Sequence, residues 1–272
     1  MKKMLCLLLI ASTVSQIFPQ ISSIIPVSSS IAGTSVANTG LRSEFQNPAM
    51  LGYAKNSEIG MQHENRYALS ELSTNSFQAL LSTNAINADL SFSYFGYSLY
   101  HEMMAGLGFG RNFSDKFALG VRFNYYMAYF SASNSYRGAL LPQIGLSYRF
   151  SSLFSLGFST FNPFQTNIKT DFTQKRIPSI FSLGTEYYFS PDLVWLAQID
   201  REISSNYRLA TGFEYQMLQQ VSLKLGAYDA GYLVPCGGCG LKWNRFLLDI
   251  NCELHPLLGL NSYAGLRYIF SR

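Results

Sequence analysis

The sequence predicts an all-β protein: a transmembrane up-and-down antiparallel β-barrel of about 14 strands, with an N-terminal segment folded into the lumen. Apolar and polar residues alternate from residue 57 to residue 270, which is the sequence signal of β-strands. The alternating segments are long enough to cross a bilayer, which takes about 9–11 tilted residues per strand. Tight turns separate many of these segments, as expected between antiparallel neighbours.

The composition narrows the class of protein further. The chain has 272 residues, with 20 Lys and Arg against 16 Asp and Glu, so its formal net charge is only +4. Charged residues make up 13% of the chain and aromatic residues 15%. Low charge with many aromatic residues excludes intrinsic disorder. The weak net charge excludes a protein that binds nucleic acid through a basic field, and we expect no nucleic-acid partner.

Residues 1–15 are typical of a cleaved signal peptide. A positive start, Met1-Lys2-Lys3, precedes an apolar run over residues 4–11 and the small residues of Thr13-Val14-Ser15, which fit a signal-peptidase site. The apolar run is too short for a transmembrane helix, which needs about 20 residues. We therefore expect export of a mature chain that begins at Gln16. Together with the predicted barrel, export indicates localisation in the bacterial outer membrane.

Segment 117–129 illustrates how the two faces of a strand differ. One face carries large apolar or aromatic side chains: Phe117, Leu119, Val121, Phe123, Tyr125, Met127 and Tyr129. The other face carries mostly small or polar ones: Ala118, Gly120, Arg122, Asn124, Tyr126 and Ala128. This division is typical of a barrel with lipid outside and a polar lumen inside. A soluble periplasmic β-sandwich is the alternative, but it would need more Lys and Glu for solubility.

The alternation divides the barrel region, residues 57–272, into spans in a regular order. Three-residue connections at 114–116, 151–153, 190–192 and 218–220 keep the apolar face on the same side. Longer connections are expected near 130–140, 164–176, 202–206 and 229–236, so short and long connections alternate as in outer-membrane barrels. The predicted spans are 57–65, 75–84, 87–95, 102–113, 117–129, 140–150, 154–163, 177–190, 193–202, 207–217, 221–229, 236–244, 246–255 and 260–270.

Residues 16–56 do not alternate and are rich in Ser and other small residues. A barrel of about 14 strands has a bore wider than its own side chains can fill, so a segment of this length can serve as a hatch or plug. A disordered periplasmic leader is the alternative interpretation of the same residues.

Two sets of motifs carry a resemblance to a known family. The small residues 35–40 lead to Asn47-Pro48-Ala49, and Leu99-Tyr100-His101-Glu102 precedes a Gly-rich strand and the segment 113–120. This pattern resembles the long-chain fatty-acid transporter (FadL-like) superfamily of outer-membrane barrels, and within it the PorV/PorQ branch. The resemblance implies an N-terminal hatch that contains Asn47, Pro48 and Ala49, and a non-enzymatic role.

The polar faces of the predicted strands carry charges of both signs. Balanced charges indicate a salt-bridged interior rather than an ion-selective ring. The lumen-facing charges that we predict are Arg122, Arg149, Glu186, Asp200, Arg208, Glu214, Lys224, Lys242, Asp249, Glu253 and Arg267, together with Asp89.

Cys236-Gly237-Gly238-Cys239 is the motif most suggestive of chemistry. We place it in a Gly-rich loop between strands, whereas a thioredoxin-type redox site needs a helix N-terminus. A zinc site would need two further ligands. A local disulfide, free thiols and a metal site remain open, and the oxidising export route favours a disulfide between Cys236 and Cys239.

Neither a catalytic site nor a cofactor is expected. The three histidines, His63, His101 and His255, are widely spaced and form no zinc-protease motif, and the sequence has neither a nucleophile elbow nor a P-loop. The aromatic residues beside tight turns, such as Phe113, Phe150 and those of Tyr187-Tyr188-Phe189, fit an interfacial girdle in contact with outer-membrane lipid.

Two functions of different class compete. The PorV/PorQ resemblance implies an accessory or docking barrel of protein export or surface attachment, whose partners are secreted or secretion-system proteins. The alternative is a FadL-type passive diffusion channel for hydrophobic small molecules. A channel should have an apolar pocket beneath its outer loops and a gap or kink in the wall for lateral exit, whereas the predicted lumen charges count against an apolar conduit.

Overall fold

The structure, a computed structural model, describes residues 31–38, 45–114, 116–131, 135–169, 174–203, 207–229 and 231–270. The predicted signal peptide and residues 16–30 lie outside the described residues. Within the described residues, no helix has the length and apolar character to cross a membrane.

A closed antiparallel barrel forms most of the described chain. Fourteen of its strands pair in sequence order, with β1 against β16 closing the cylinder, while β8 and β9 form a separate two-stranded hairpin. The predicted fold class and strand number are confirmed. The strands are β1 Glu58–Arg66, β2 Leu69–Leu81, β3 Asn87–Tyr97, β4 Tyr100–Phe113, β5 Phe117–Phe130, β6 Ser135–Arg149, β7 Phe154–Phe161, β8 Asn167–Lys169, β9 Gln174–Arg176, β10 Ile180–Ser190, β11 Leu193–Glu202, β12 Tyr207–Leu218, β13 Val221–Asp229, β14 Leu233–Trp243, β15 Phe246–His255 and β16 Gly259–Ile269.

The connections define two ends of the barrel. At the end that we call the turn end, β1 begins, β16 ends, and strands join through residues 82–86, 114–116, 150–153, 191–192, 219–220 and 244–245. At the opposite end, the loop end, the connections are 67–68, 98–99, 131–134, 162–179, 203–206, 230–232 and 256–258. The expected alternation of short and long connections is wrong in detail, because only 162–179 is long. Extended strand pairing beyond the predicted spans shortens the others.

The wall separates apolar and polar side chains as the alternation predicts. Phe117, Leu119 and Phe123 on the outer face of β5 are 37%, 38% and 48% exposed. Arg122 and Asn124, which alternate with them, are buried inside. A β-sandwich would bury the aromatic face between its two sheets, so the sandwich interpretation is wrong.

Aromatic side chains encircle much of the turn end. Neighbouring rings on the outer wall contact one another, with centroids 5.5 Å apart for Phe150 and Phe154 and 5.0 Å apart for Tyr187 and Phe189. Tyr188 is an exception to the predicted girdle, because its hydroxyl donates to Glu186 in the lumen. The pairs in contact are Phe113–Phe117, Tyr148–Phe150, Phe150–Phe154, Phe154–Tyr187, Tyr187–Phe189, Phe246–Tyr268 and Tyr268–Phe270.

Candidate functional site

Two pieces of the N-terminal segment lie inside the lumen. Each contains a short 3₁₀ helix, Ile31–Gly33 in the first piece and Pro48–Tyr53 in the second. The first packs against β12, β13 and β14, and the second against β4, β5 and β6, which form a nearly opposite part of the wall. Residues 31–38 are buried throughout. These two pieces therefore fill part of the interior of the barrel.

Asn47 holds the second piece in place. Its side-chain oxygen accepts from the backbone N–H of Ala49 at 3.0 Å and so caps the 3₁₀ helix, which begins with Pro48. Its side-chain nitrogen donates to the carbonyl oxygens of Val36 at 2.6 Å and Leu146 at 3.1 Å. One fully buried amide thus joins the cap, the first piece and the wall strand β6.

Glycines in the wall make room for this contact. Gly110, Gly120 and Gly145 lie in register across β4, β5 and β6. A Cβ atom at Gly120 would lie 2.2 Å from the carbonyl of Pro48, and one at Gly145 would lie 1.9 Å from the side-chain oxygen of Asn47. Since real Cβ atoms do not approach so closely, any side chain at either position would push the segment away from the wall.

Polar side chains of the wall bind the backbone of the segment. Gln143 donates to the carbonyl oxygens of Phe45 at 3.1 Å and Gln46 at 2.9 Å. Asn87 donates to the carbonyl oxygen of Leu51 at 2.6 Å. Buried carbonyl groups are costly without a partner, so these amides stabilise an irregular segment that cannot form a ladder of its own.

The first piece is held in the same manner on the opposite side. The backbone N–H of Val36 donates to the side-chain oxygen of Gln198 at 3.0 Å, and the Gln198 amide donates to Asp200 at 2.7 Å. Arg208 bonds to Asp200 at 2.8 Å and also donates to the carbonyl of Ala32. Of the predicted lumen charges, Arg208 therefore binds the N-terminal segment directly, and Asp200 binds the two wall side chains, Gln198 and Arg208, that contact it.

A second pair of charges is buried in the middle of the lumen. The Arg122 guanidinium forms an ion pair with Asp89, and Gln78 donates to the same carboxylate at 2.8 Å. Arg122 also lies over the ring of Phe45, with its central carbon 5.2 Å from the ring centroid. Both charged side chains are at most 1% exposed, so each depends on the other for compensation.

Near the turn end, four charges form a small network. Lys224 bonds to one oxygen of Asp249 at 2.8 Å, and Arg267 approaches the other oxygen at 3.4 Å. Arg267 lies 3.7 Å from Glu58 as well. Opposite charges thus alternate across β13, β15, β16 and β1, which supports a salt-bridged wall.

The remaining predicted charges are distributed along the lumen. The Arg149 guanidinium lies over the ring of Tyr53, 4.7 Å from its centroid, and Glu186 is buried next to Ser155. Glu253 accepts from the hydroxyl of Tyr228 at 3.2 Å. Glu214, in register with Lys224, is also buried, whereas Lys242 is exposed near the turn-end rim.

Sequence reasoning missed further inward-facing charges. On the lumen side of β1, Glu64 and Arg66 form an ion pair at 2.7 Å. On the lumen side of β4, Glu102 accepts a hydrogen bond from the hydroxyl of Tyr100. The signal available in the sequence of β1 was the alternation of Gln62, Glu64 and Arg66 with residues of the other face. A cavity of about 20 Å³ lies between Glu64, Glu253 and the first piece, which is room for about one water molecule.

An apolar cluster occupies the loop end of the lumen. Its members come from inward-facing positions on β3 to β7 and β10 and from the connection 162–179, and each is at most 6% exposed. Leu72, Tyr100, Phe130 and Ala139 pack around it. We call it the loop-end cluster, and its buried members are Phe95, Met104, Tyr126, Ala128, Leu141, Phe161, Ile168, Ile177 and Ile180.

The wall is incomplete next to the loop-end cluster. β6 pairs with β7 only from Gln143 to Arg149, because β7 ends at Phe161, while β6 continues to Ser135. Over residues 135–142 of β6, the edge that faces β7 has no strand partner in the barrel sheet among the described residues. Part of the connection fills the space, with β8 against β6 and the backbone N–H of Asn162 bonded to Pro142. We call this opening the wall gap.

The cysteines do not occupy a loop, so that part of the prediction is wrong. Cys236 and Cys239 lie within β14, and the glycines between them pair regularly with β13 and β15. Residues three apart on a strand point to opposite faces, and accordingly Cys236 is buried in the lumen while Cys239 is partly exposed outside. Both are free thiols, as is Cys252. Within the described residues, no group of His, Cys, Asp or Glu is arranged to hold a metal ion.

No family model and no curated protein sequence matches the chain. Solved structures do resemble it. The toluene transporter TodX of Pseudomonas putida is 11% identical, with a TM-score of 0.66 and coverage of 94% of this chain and 98% of that one. The monoaromatic hydrocarbon channel CymD is 9% identical, with a TM-score of 0.70 and coverage of 93% and 99%.

A Pseudomonas aeruginosa FadL homologue is 10% identical, with a TM-score of 0.62 and coverage of 91% of this chain and 98% of that one. At these identities the likeness establishes the fold alone, a closed antiparallel β-barrel, over nearly the whole chain. It does not distinguish the PorV/PorQ branch within that fold.

Proposed function

We propose that this chain is an outer-membrane β-barrel that acts as a passive diffusion channel for hydrophobic small molecules. The observation that carries the proposal is the position of the loop-end cluster, which lies beneath the longest connection and directly beside the wall gap. An apolar molecule that enters from the loop end would meet apolar side chains first. It could then leave sideways, without passing the ion pairs in the middle and turn-end parts of the lumen.

The outer face of the barrel supports placement in a membrane. Large apolar side chains cover much of the wall, and the turn-end girdle lies where the aromatic belt of a membrane barrel is found. An apolar outer surface of this extent is uncommon on soluble monomeric proteins. We assign the turn end to the periplasm and the loop end to the outside, since tight turns lie on the periplasmic side of such barrels.

Four of the lumen charges that count against an apolar conduit lie away from this lateral route. Arg122, Asp89, Lys224 and Asp249 are inside the middle and turn-end parts of the barrel, where the N-terminal segment fills the bore. That arrangement closes a straight path to the periplasm for water and ions. A lateral route through the wall gap avoids it, and it requires the connection 162–179 to move, because the cluster is packed at rest.

Of the two functions that the sequence left open, we therefore prefer the channel to the accessory role in protein export. The channel is supported by the cluster, the wall gap and the resemblance of the fold to TodX and CymD, whose names describe a toluene transporter and a hydrocarbon channel. The loop end offers only one long connection as a docking surface for secreted proteins. No other feature of the described residues favours the accessory role in protein export.

Uptake of a hydrophobic fluorescent probe tests the channel. In a Gram-negative host that produces the protein, we expect N-phenyl-1-naphthylamine to enter the envelope faster than in the same host with an empty vector. Ala128→Phe would fill the loop-end cluster and should return uptake to the empty-vector rate. Ala105→Phe, on the outer face of the neighbouring strand, is the matched control and should leave uptake unchanged.

Folding is checked separately for every variant by the mobility shift of unheated against heated samples on a gel. If Ala128→Phe fails to fold, the smaller change Ala139→Leu at the edge of the cluster takes its place. A folded wild-type barrel with no uptake above the empty vector would contradict the channel.

A further inference from the structure

The outer wall carries polar side chains where lipid is expected. Five residues of β1, β2 and β16 form this group, which we call the wall patch: His63, Asn65, Ser73, Asn75 and Ser262. Alternation places all five on the outer face, and His63 and Asn75 are exposed there. Elsewhere the same face presents mainly Leu, Ile, Phe, Tyr and Met.

His63 and Asn75, the centre of the wall patch, lie about midway along β1 and β2, whereas Asn65 and Ser73 lie closer to the loop end. Ile59, four residues before His63 on the same face, pairs with Tyr268 of the turn-end girdle. In the other direction, His63 pairs with Asn75 and Asn75 with Tyr94, which stacks on His101 near the loop end at 5.4 Å. His63 and Asn75 are therefore between the aromatic residues of the two ends, within the apolar belt.

Two hydrogen bonds organise the wall patch internally. The Nδ1 atom of His63 lies 2.9 Å from the side-chain oxygen of Asn75, and the Asn65 amide donates to Ser73 at 3.0 Å. Since the Asn75 oxygen can only accept, Nδ1 is the donor of this bond, and in the tautomer with one ring proton Nε2 is then an acceptor. The Asn75 amide nitrogen keeps its two N–H groups, for which the described residues provide no acceptor.

Lipid tails cannot satisfy these groups. A polar group in an apolar medium without a hydrogen-bond partner is strongly disfavoured. The outer wall has a second polar contact that is complete by itself, because the Trp195 ring N–H donates to Thr211 at 2.9 Å and the Thr211 hydroxyl donates to Leu196. The wall patch differs in that it presents an unused donor and an unused acceptor side by side.

We infer that the wall patch is the interface through which two copies of this chain associate in the membrane. A donor and an acceptor side by side are self-complementary across a two-fold axis, so the Asn75 amide of one copy would bond to His63 Nε2 of the other, and the reverse. Ser73, Ser262 and Ala264 are small, which lets two walls approach closely. An unrelated partner would have to supply the same pattern, whereas a second copy has it already.

This inference rests on the proposed placement in a membrane but not on channel activity. The mature chain, labelled once at its C-terminus, is placed in phosphatidylcholine vesicles at a low ratio of protein to lipid. Single-molecule photobleaching then counts the copies in each spot. For the wild type we expect two bleaching steps in excess of random co-occupancy.

The double variant H63L/N75L removes the donor and the acceptor. It should raise the dissociation constant of the dimer by about tenfold, since hydrogen bonds between membrane segments are modest individually. Its barrel should still show the heat-dependent gel shift, because leucine suits a lipid-facing position. The matched control is the double variant W195F/T211V, which removes both partners of the other polar contact on the outer wall and should leave the two-step fraction unchanged.

Each result decides a separate point. One-step bleaching of the wild type overturns the dimer, and two-step bleaching that persists in H63L/N75L overturns the assigned surface. Association with another protein instead would leave the purified wild type in single copies, so it counts against the inference as well. Failure of the barrel to float with the vesicles would instead contradict the membrane placement on which the inference depends.

Discussion

The side-chain amide of Asn47 donates a 2.6 Å hydrogen bond to the carbonyl oxygen of Val36. This bond connects the two pieces of the N-terminal segment across the lumen, while the same amide reaches Leu146 of the wall. Because the three carbonyl and N–H groups around Asn47 are buried, no water can replace it without rearrangement of the segment. The order of the lumen therefore depends strongly on one side chain.

Asn47→Ala should destabilise the barrel. It removes the helix cap, worth about 0.5–2 kcal/mol, and leaves buried carbonyl groups without a partner at roughly 1–3 kcal/mol. We expect the free energy of unfolding in urea to fall by about 2–4 kcal/mol. Asn56→Ala, at an exposed position between the segment and β1, is the control and should change it little. An equal, small effect of both substitutions would contradict the role given to Asn47.

Gly120→Ala should loosen the plug. The new methyl group would lie 2.2 Å from the carbonyl of Pro48, so the second piece has to leave the wall. Conductance in planar bilayers measures the result, and we expect discrete openings that the wild type lacks. Gly237→Ala on β14 is the control, because the nearest atom to its added Cβ is 3.9 Å away. Identical traces for both variants would show that the segment does not block the bore.

Most of the strands could be predicted, because a wall with one apolar and one polar face requires residues of the two kinds to alternate along each strand, and tight turns mark where the strands end. The spans predicted at 193–202, 221–229 and 246–255 have the same bounds as β11, β13 and β15. The prediction missed the start of β2, since Glu71 and Ser73 on its outer face are polar and Tyr67-Ala68 is not a recognisable turn sequence. It also missed β8 and β9, which are too short for a periodic signal.

The lumen could be predicted only in part. The sequence Asn47-Pro48-Ala49 predicts a turn. The wall glycines that make room for it are far apart in the sequence, and the register of β4, β5 and β6 is needed to recognise them as neighbours. The sequence of the Cys236-Gly237-Gly238-Cys239 segment predicts a loop, because Gly weakens the interior of a strand. In the wall, Gly238 instead makes room for Asn251, whose side-chain oxygen would lie 2.0 Å from an added Cβ.

The Arg122–Asp89 pair leads to a test of the buried charges. Arg122→Met leaves a carboxylate buried without its counterion, which costs about 3–5 kcal/mol in folded proteins. Adding Asp89→Asn removes that charge and should restore much of the loss, as urea unfolding of the single and double variants would reveal. Lys242→Met, at an exposed rim position, is the control, with an expected change within about 0.5 kcal/mol. Additive losses in the double variant would argue against a direct ion pair.

The free thiols allow a test of which side of the wall each cysteine faces. Cys252 is exposed on the outer face, whereas Cys236 is 6% exposed next to Ile31 and Ala32 in the lumen. In the folded, detergent-solubilised protein, a maleimide should therefore modify Cys252 readily and Cys236 only after unfolding, as peptide mass mapping would detect. Cys252→Ser is the control for the fast reaction. A disulfide between Cys236 and Cys239 would protect both from the reagent even in denaturant until a reductant is added, and that pattern would contradict the strand assignment, because the two side chains point to opposite faces of β14.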